Sequence, residues 1–187
     1  MKLKAWMVVL LFAIACNNPN KTTRQENKIF ASVLQNLKPE DGYTLVWQNT
    51  ELFASKAWDD EISRTKWLKE NEIPADLLDR LIENNTREVA IGLKSAFNRG
   101  YLVDKKGDFK KYCPDNSSCD WKRLGKDRPN FASFTFLSRP AYSEKTGLIM
   151  LYFAQLRGPY DGEGFIIIYK YDGDTLEEIK RVAVWIS

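Results

Sequence analysis

The stretch that decides the fold is "GLIMLYFAQLRGPYDGEGFIIIYKYDGDTLEEIKRVAVWIS", residues 147–187. It contains three runs of aliphatic, β-branched and aromatic residues. They are separated by Asp161-Gly162-Glu163-Gly164 and Asp172-Gly173-Asp174. Asp-Gly between apolar runs is a strong hairpin signal, since the tight turn needs backbone dihedrals that these residues tolerate. A fourth run, "FASFTFLS" at 131–138, sets Phe131, Ser133, Thr135 and Leu137 against Ala132, Phe134, Phe136 and Ser138, and Glu144-Lys145-Thr146-Gly147 joins it to the rest. The C-terminal third therefore predicts an antiparallel β-meander of about four strands.

Upstream, the period changes from two to that of a helix. Thr23 and Glu26 have the spacing of a capping box, and Ile29, Phe30, Val33, Leu34 and Leu37 follow on one face until Lys38-Pro39. Tyr43 to Trp47 reads as a strand. Asp59-Asp60-Glu61 open a second helix, where negative charge suits the N-terminal dipole. Pro74 precedes a third helix with a stripe of Leu77, Leu78, Leu81 and Ile82. One face of the meander would cover these apolar stripes, which predicts an α+β domain with N-terminal helices packed on the C-terminal sheet. Residues 98–130, with nine Lys or Arg against five Asp and turn signals at Lys106-Gly107, Pro114 and Arg128-Pro129, read as a solvated loop region, and their net charge of +4 permits, as the alternative, a surface facing anionic headgroups or polysaccharide.

The beginning of the chain has a separate logic. Lys2 and Lys4 precede eleven apolar residues, Ala5 to Ala15, ended by Cys16 and Asn17-Asn18-Pro19-Asn20. That run is too short to cross a bilayer, which takes about 20 residues, and it matches the core of a secretory signal. Ala13-Ile14-Ala15-Cys16 resembles a bacterial lipobox, with Ala13 where leucine is usual. The resemblance implies a signal peptide over 1–15, lipid (palmitate among the acyl chains) on Cys16, a tether over 16–24 and a single domain over 25–187. Two or more acyl chains hold a protein stably to a membrane.

Removing residues 1–15 lowers the net charge from +3 to +1. Such a balance gives no reason to expect nucleic acid. Cys113 and Cys119 remain, flanking the turn-rich Pro114-Asp115-Asn116-Ser117, and outside a reducing cytoplasm they read as a structural disulfide. A redox pair would prefer a two-residue spacer, and a metal site would want further ligands.

Histidine is absent from the chain. This excludes Ser-His-Asp and Cys-His catalysis, imidazole metal sites and HExxH proteases. No P-loop, nucleophile elbow or dinucleotide fingerprint is present, and no cofactor or metal is expected. What remains is a set of candidate ligand contacts around the meander: Arg139, Tyr142, Arg157, Tyr160, Asp161 and Glu163. Asp161 and Glu163 could serve a glycan-directed hydrolase, whose two carboxyls stand about 5–9.5 Å apart. Tyr142, Tyr152, Tyr160 and Tyr169 could line one concave face.

The block from Ser133 to Ser187 resembles a group of bacterial secreted proteins and lipoproteins. The resemblance lies in Ser138-Arg139-Pro140, Tyr142, the aliphatic strand Leu148 to Phe153, the Gly162-x-Gly164 hairpin and the terminal Trp185-Ile186-Ser187, with Trp121 upstream. It implies secretion and the meander fold and brings no activity with it. Its glycines are expected at positive φ, and Arg139 is expected to pair with a carboxylate. Together these readings predict a lipid-anchored cell-envelope protein, periplasmic or surface-facing. It would bind or assemble with a protein or glycan partner, and a carboxylate hydrolase is the alternative.

Overall fold

The computed structural model describes residues 22–36, 42–50, 61–93, 96–98, 100–114, 119–171 and 175–187. Cys16 and the apolar run before it lie outside the described residues, as do Leu37 to Asp41, Asp59-Asp60 and Asp172-Gly173-Asp174. In chain order the elements are α1 (Arg24–Asn36), β1 (Tyr43–Val46), α2 (Glu61–Glu70), α3 (Ala75–Asn84), β2 (Ala96–Asn98), β3 (Tyr101–Val103), a 3-10 turn (Asp108–Lys111), α4 (Trp121–Asp127) and β4 (Phe131–Leu137). They end in β5 (Ala141–Ser143), β6 (Leu148–Gly158), β7 (Asp161–Tyr171) and β8 (Leu176–Ile186).

The mixed α+β class is correct, but the sheet is larger than a meander. Its order is β2-β3-β1-β4-β6-β7-β8, with the short β5 also paired to β6. β1 runs parallel to both β3 and β4, and the pairs from β4 onward are antiparallel. The turn predicted at Asp161-Gly162-Glu163-Gly164 lies two residues earlier. Gly158 pairs with Asp161 across Pro159-Tyr160, and residues 161–164 belong to β7, bonded to β6 and β8.

Helices cover both faces of the sheet, not one. Leu77, Leu78 and Leu81 of α3 pack with Met150, Ile166 and Ile168 on one side. Phe30, Val33 and Leu34 of α1 pack with Ile149, Leu151, Ile167 and Tyr169 on the other. Successive strand residues point to opposite faces, so the unbroken apolar runs of β6 and β7 fill two cores at once. An alternating apolar-polar strand would have had one wet face.

Alternation breaks in β4 for a different reason. Its register against β1 shifts between Tyr43 and Thr44, so Phe131 joins Phe134 on the α3 side, with ring centroids 4.7 Å apart. A bulge inserts one residue and turns the next side chain over.

Residues 98–130 correct the solvated-loop reading. Phe109, Tyr112, Cys113 and Leu124 are buried in the α3-side core, and Trp121 packs on Phe131 and Phe134. Asp104 accepts the backbone N–H groups of Asp108 and Phe109, which holds the 3-10 turn. Asp120 caps α4 by accepting from Arg123 N–H at 3.0 Å. The Cys113–Cys119 disulfide closes the segment between them, with Cα atoms 4.2 Å apart.

Candidate functional site

The site begins with the capping box. Glu26 N–H donates to Thr23 Oγ1 at 3.1 Å, and Thr23 N–H donates to Glu26 Oε2 at 2.6 Å. This reciprocal pairing satisfies two of the free N–H groups at the start of α1. The entry is fixed one residue earlier, because Thr22 N–H donates to Ala90 O and Gly92 N–H donates to Thr22 Oγ1. Thr22 and Thr23, assigned to the tether from sequence, are therefore part of the fold.

The second oxygen of Glu26 turns outward to Arg139. Arg139 Nε donates to Glu26 Oε1 at 2.8 Å, with 24% of the arginine side chain and 10% of the glutamate side chain exposed. The expected carboxylate partner of Arg139 is thus Glu26, 113 residues away in sequence. The backbone of Arg139 is held from α3. Its N–H donates to Asn85 Oδ1 at 2.6 Å, while Asn85 Nδ2 donates to Arg139 O at 2.9 Å and to Leu81 O at 2.7 Å. Asn84 Nδ2 bonds Pro140 O, and Ser138 exchanges hydrogen bonds with the backbone of Tyr152. Ser138-Arg139-Pro140 is the corner where α1, α3, β4 and β6 are tied together.

Beside that corner opens a groove of about 660 Å3. Its walls are the first turn of α1, the outer face of α3, and Pro140 with Tyr142. Asp76 lies at the far end, where Ser143 Oγ donates to it at 3.5 Å. Asp79 is paired with Arg64, and Arg80 donates to Tyr142 O. The carboxylate of Glu83 has no ion-pair partner among the described residues. The groove therefore presents preformed hydrogen-bond acceptors beside a tyrosine ring.

The remaining candidates are elsewhere. Tyr142 pairs with Ile149 near one end of β6, and Arg157 is near the other, roughly 27 Å along the strand at about 3.4 Å per residue. There Arg157 Nε donates to Asp161 Oδ1 at 3.0 Å and Nη1 donates to Glu163 Oε1 at 2.8 Å. These bonds, the one to Glu163 foremost, raise the guanidinium pKa further above its ordinary value. Both acids of the suggested hydrolase pair thus face one cation. Tyr160 stands at the turn, 88% exposed.

The four tyrosines do not share a face. Tyr142 lines the groove and Tyr160 is at the tip, while Tyr152 and Tyr169 are buried in opposite cores. The glycine expectation is also corrected. Positive φ occurs at Gly42, Gly100, Gly107 and Gly147, not at Gly162 or Gly164. Trp185 lies across β7, and a Cβ on Gly164 would overlap its indole ring, while one on Gly162 would meet Leu156 Cδ2 at 2.6 Å and the indole at 3.0 Å. Trp185 Nε1 donates to Tyr152 OH at 2.7 Å, which fixes the ring there.

Glu83, Asn84 and Asn85 were missed from the sequence. Paired asparagines after an apolar helical stripe are a helix-end signal, but nothing local shows that they hold a corner more than fifty residues away. Among the described residues, no helix is long and apolar enough to cross a membrane, and no three His, Cys, Asp or Glu side chains converge to hold a metal ion. No protein-family model, no curated protein and no solved structure matches the chain.

Proposed function

We propose that the chain is a lipid-anchored cell-envelope protein, fastened through Cys16, and that its groove binds a polar partner without chemical turnover. The groove is the observation that carries the reading. Its volume falls within the roughly 300–1,000 Å3 of ligand sites, and its walls are fixed by the Glu26–Arg139–Asn85 network before anything binds. Acceptors beside a tyrosine suit a glycan or an envelope protein segment with hydroxyl or amine groups. The positively charged start, apolar run and cysteine support the anchor, and the disulfide agrees with an oxidising compartment. We take β4, β6, β7 and β8 as the meander of the bacterial secreted proteins and lipoproteins that the C-terminal block resembles.

The hydrolase alternative is weaker. A glycosidase needs one carboxyl kept protonated beside the leaving oxygen, whereas Asp161 and Glu163 both bond the Arg157 guanidinium at an exposed tip.

Intact mass and membrane fractionation of wild type beside Cys16→Ser test the anchor. The wild type is expected in the membrane with diacylglycerol mass, and the variant in the soluble fraction. A photocrosslinking residue at Glu83 is expected to trap a cellular partner that the same residue at Tyr160 does not. Adducts at the tip alone, or sugar release abolished by Glu163→Gln, would replace the groove reading with the hydrolase.

A further inference from the structure

We propose that the disulfide-stapled segment between β3 and β4 is a headgroup-binding face that lies on the anionic bilayer to which Cys16 is attached. The proposal rests on the anchor reading and adds an orientation and a lipid preference to it.

The first observation is charge segregation. The mature chain is nearly neutral, yet residues 98–130 carry a net charge of +4, so the remainder is net negative. The acids in the segment are largely turned to structural use. Asp104 holds the 3-10 turn, Asp120 caps α4, and Asp127 accepts from Tyr112 OH at 3.0 Å. The lysines are left outward. Lys105, Lys106, Lys110, Lys122 and Lys126 are exposed, and none is ion-paired among the described residues. Lys111 and Arg123 flank the ring of Tyr112, and Arg128 stands over Phe109, so these cations gather around one buried aromatic pair.

The second observation is position. Thr22, where the tether enters the fold, bonds Ala90, and the next residue, Ile91, donates to Gln48 O. Gln48 is also the side chain facing Gly107, where a Cβ would lie 3.3 Å from its Oε1. The tether entry and Lys105-Lys106 therefore share the end of the sheet beyond Val46, where Asp104 N–H donates to Val46 O. From Cys16 to Thr22 the chain spans at most about 20 Å. A lipid on Cys16 thus keeps this end of the molecule close to the headgroups. Lysines near an anionic surface contribute about a fivefold gain in binding each, and one basic patch complements an acyl anchor.

The test uses the Cys16→Ser chain with residues 1–15 removed, so that binding depends neither on acylation nor on the apolar run before it. It is mixed with phosphatidylcholine vesicles containing a quarter phosphatidylglycerol, and with vesicles of phosphatidylcholine alone. Binding is expected to the anionic vesicles only, and to be lost in high salt. Lys105→Ala with Lys106→Ala should weaken it about 25-fold, whereas Lys66→Ala with Lys69→Ala on α2 should leave it unchanged. Equal binding to both vesicle types, or none, overturns the proposal. So does binding to dextran sulfate without binding to vesicles, which would assign the face to an anionic polysaccharide. Failure of the anchor reading appears separately, as wild-type protein without lipid mass.

Discussion

Asn85 is the residue on which the groove corner should depend most. Its buried amide makes three hydrogen bonds: it accepts from Arg139 N–H and donates to Arg139 O and Leu81 O. Asn85→Ala removes all three and leaves the part-buried backbone N–H and C=O of Arg139 without these partners. At about 1 kcal/mol for each lost bond, the expected destabilisation is about 3 kcal/mol. Asn85→Asp preserves the shape and is more revealing. It puts an oxygen where Nδ2 faced two carbonyl oxygens, so the charged form is disfavoured and the introduced carboxyl has a raised folded-state pKa. A folded pKa above the unfolded value of about 3.9 makes stability fall as pH rises between the two. The deficit relative to wild type should thus be full at pH 7 and shrink on acidification. Urea unfolding of the soluble Cys16→Ser chain and its variants at several pH values measures this. A loss under about 1 kcal/mol for Asn85→Ala, or an aspartate deficit independent of pH, would refute the account of the corner.

Three other perturbations test separate parts of the structure. Gly164→Ala should destabilise by about 1–3 kcal/mol by forcing the Trp185 indole away, and the loss should be smaller when Trp185→Ala is already present; thermal melts of the double-mutant cycle decide it. Replacing both Cys113 and Cys119 by serine should cost up to about 2.4 kcal/mol in the chain-entropy model for so short a loop, measured by urea unfolding against the oxidised protein. Burial pushes the Tyr101 hydroxyl up to about 12. Stability should therefore hold below pH 10, where the unfolded tyrosine begins to ionise, and fall by about 2–3 kcal/mol toward pH 12, with the Tyr101 share of the tyrosinate absorbance, taken as the difference from Tyr101→Phe, appearing only on unfolding.

Much of the local structure could be read directly from residue spacing. The capping box at Thr23 and Glu26 formed as expected because both partners lie within one turn of chain. The stripe of α3 buried Leu77, Leu78 and Leu81, and the β6–β7 runs became long strands. The segment around Phe109, Tyr112 and Leu124 was misread because its charges outnumber its apolar residues. Single aromatics three residues apart carried its packing, and a composition reading averages them away.

The candidate site was legible only in part. Arg139 and Tyr142 were identified, but so were Arg157, Asp161 and Glu163, which stand at the other end of β6, where Arg157 donates to both acids and to Gln155. Residues close together in a hairpin look like a constellation in sequence. The groove is instead assembled from pieces of α1, α3 and the β4–β5 corner, and no local pattern encodes that meeting.

The sequence by itself determined the starts of α1 and α3, the apolar strands, the cysteine pair available for bonding and the absence of histidine chemistry, because each depends on neighbours a few residues apart or on composition alone. Tertiary structure decided the two-sided burial of the sheet, the parallel strand β1, the partner of Arg139 and the reason for Gly162 and Gly164. Each of these depends on which distant surface arrives against a residue. A run such as Phe165 to Tyr169 can specify that both of its faces will be dry, but only the packed chain specifies which helix dries each one.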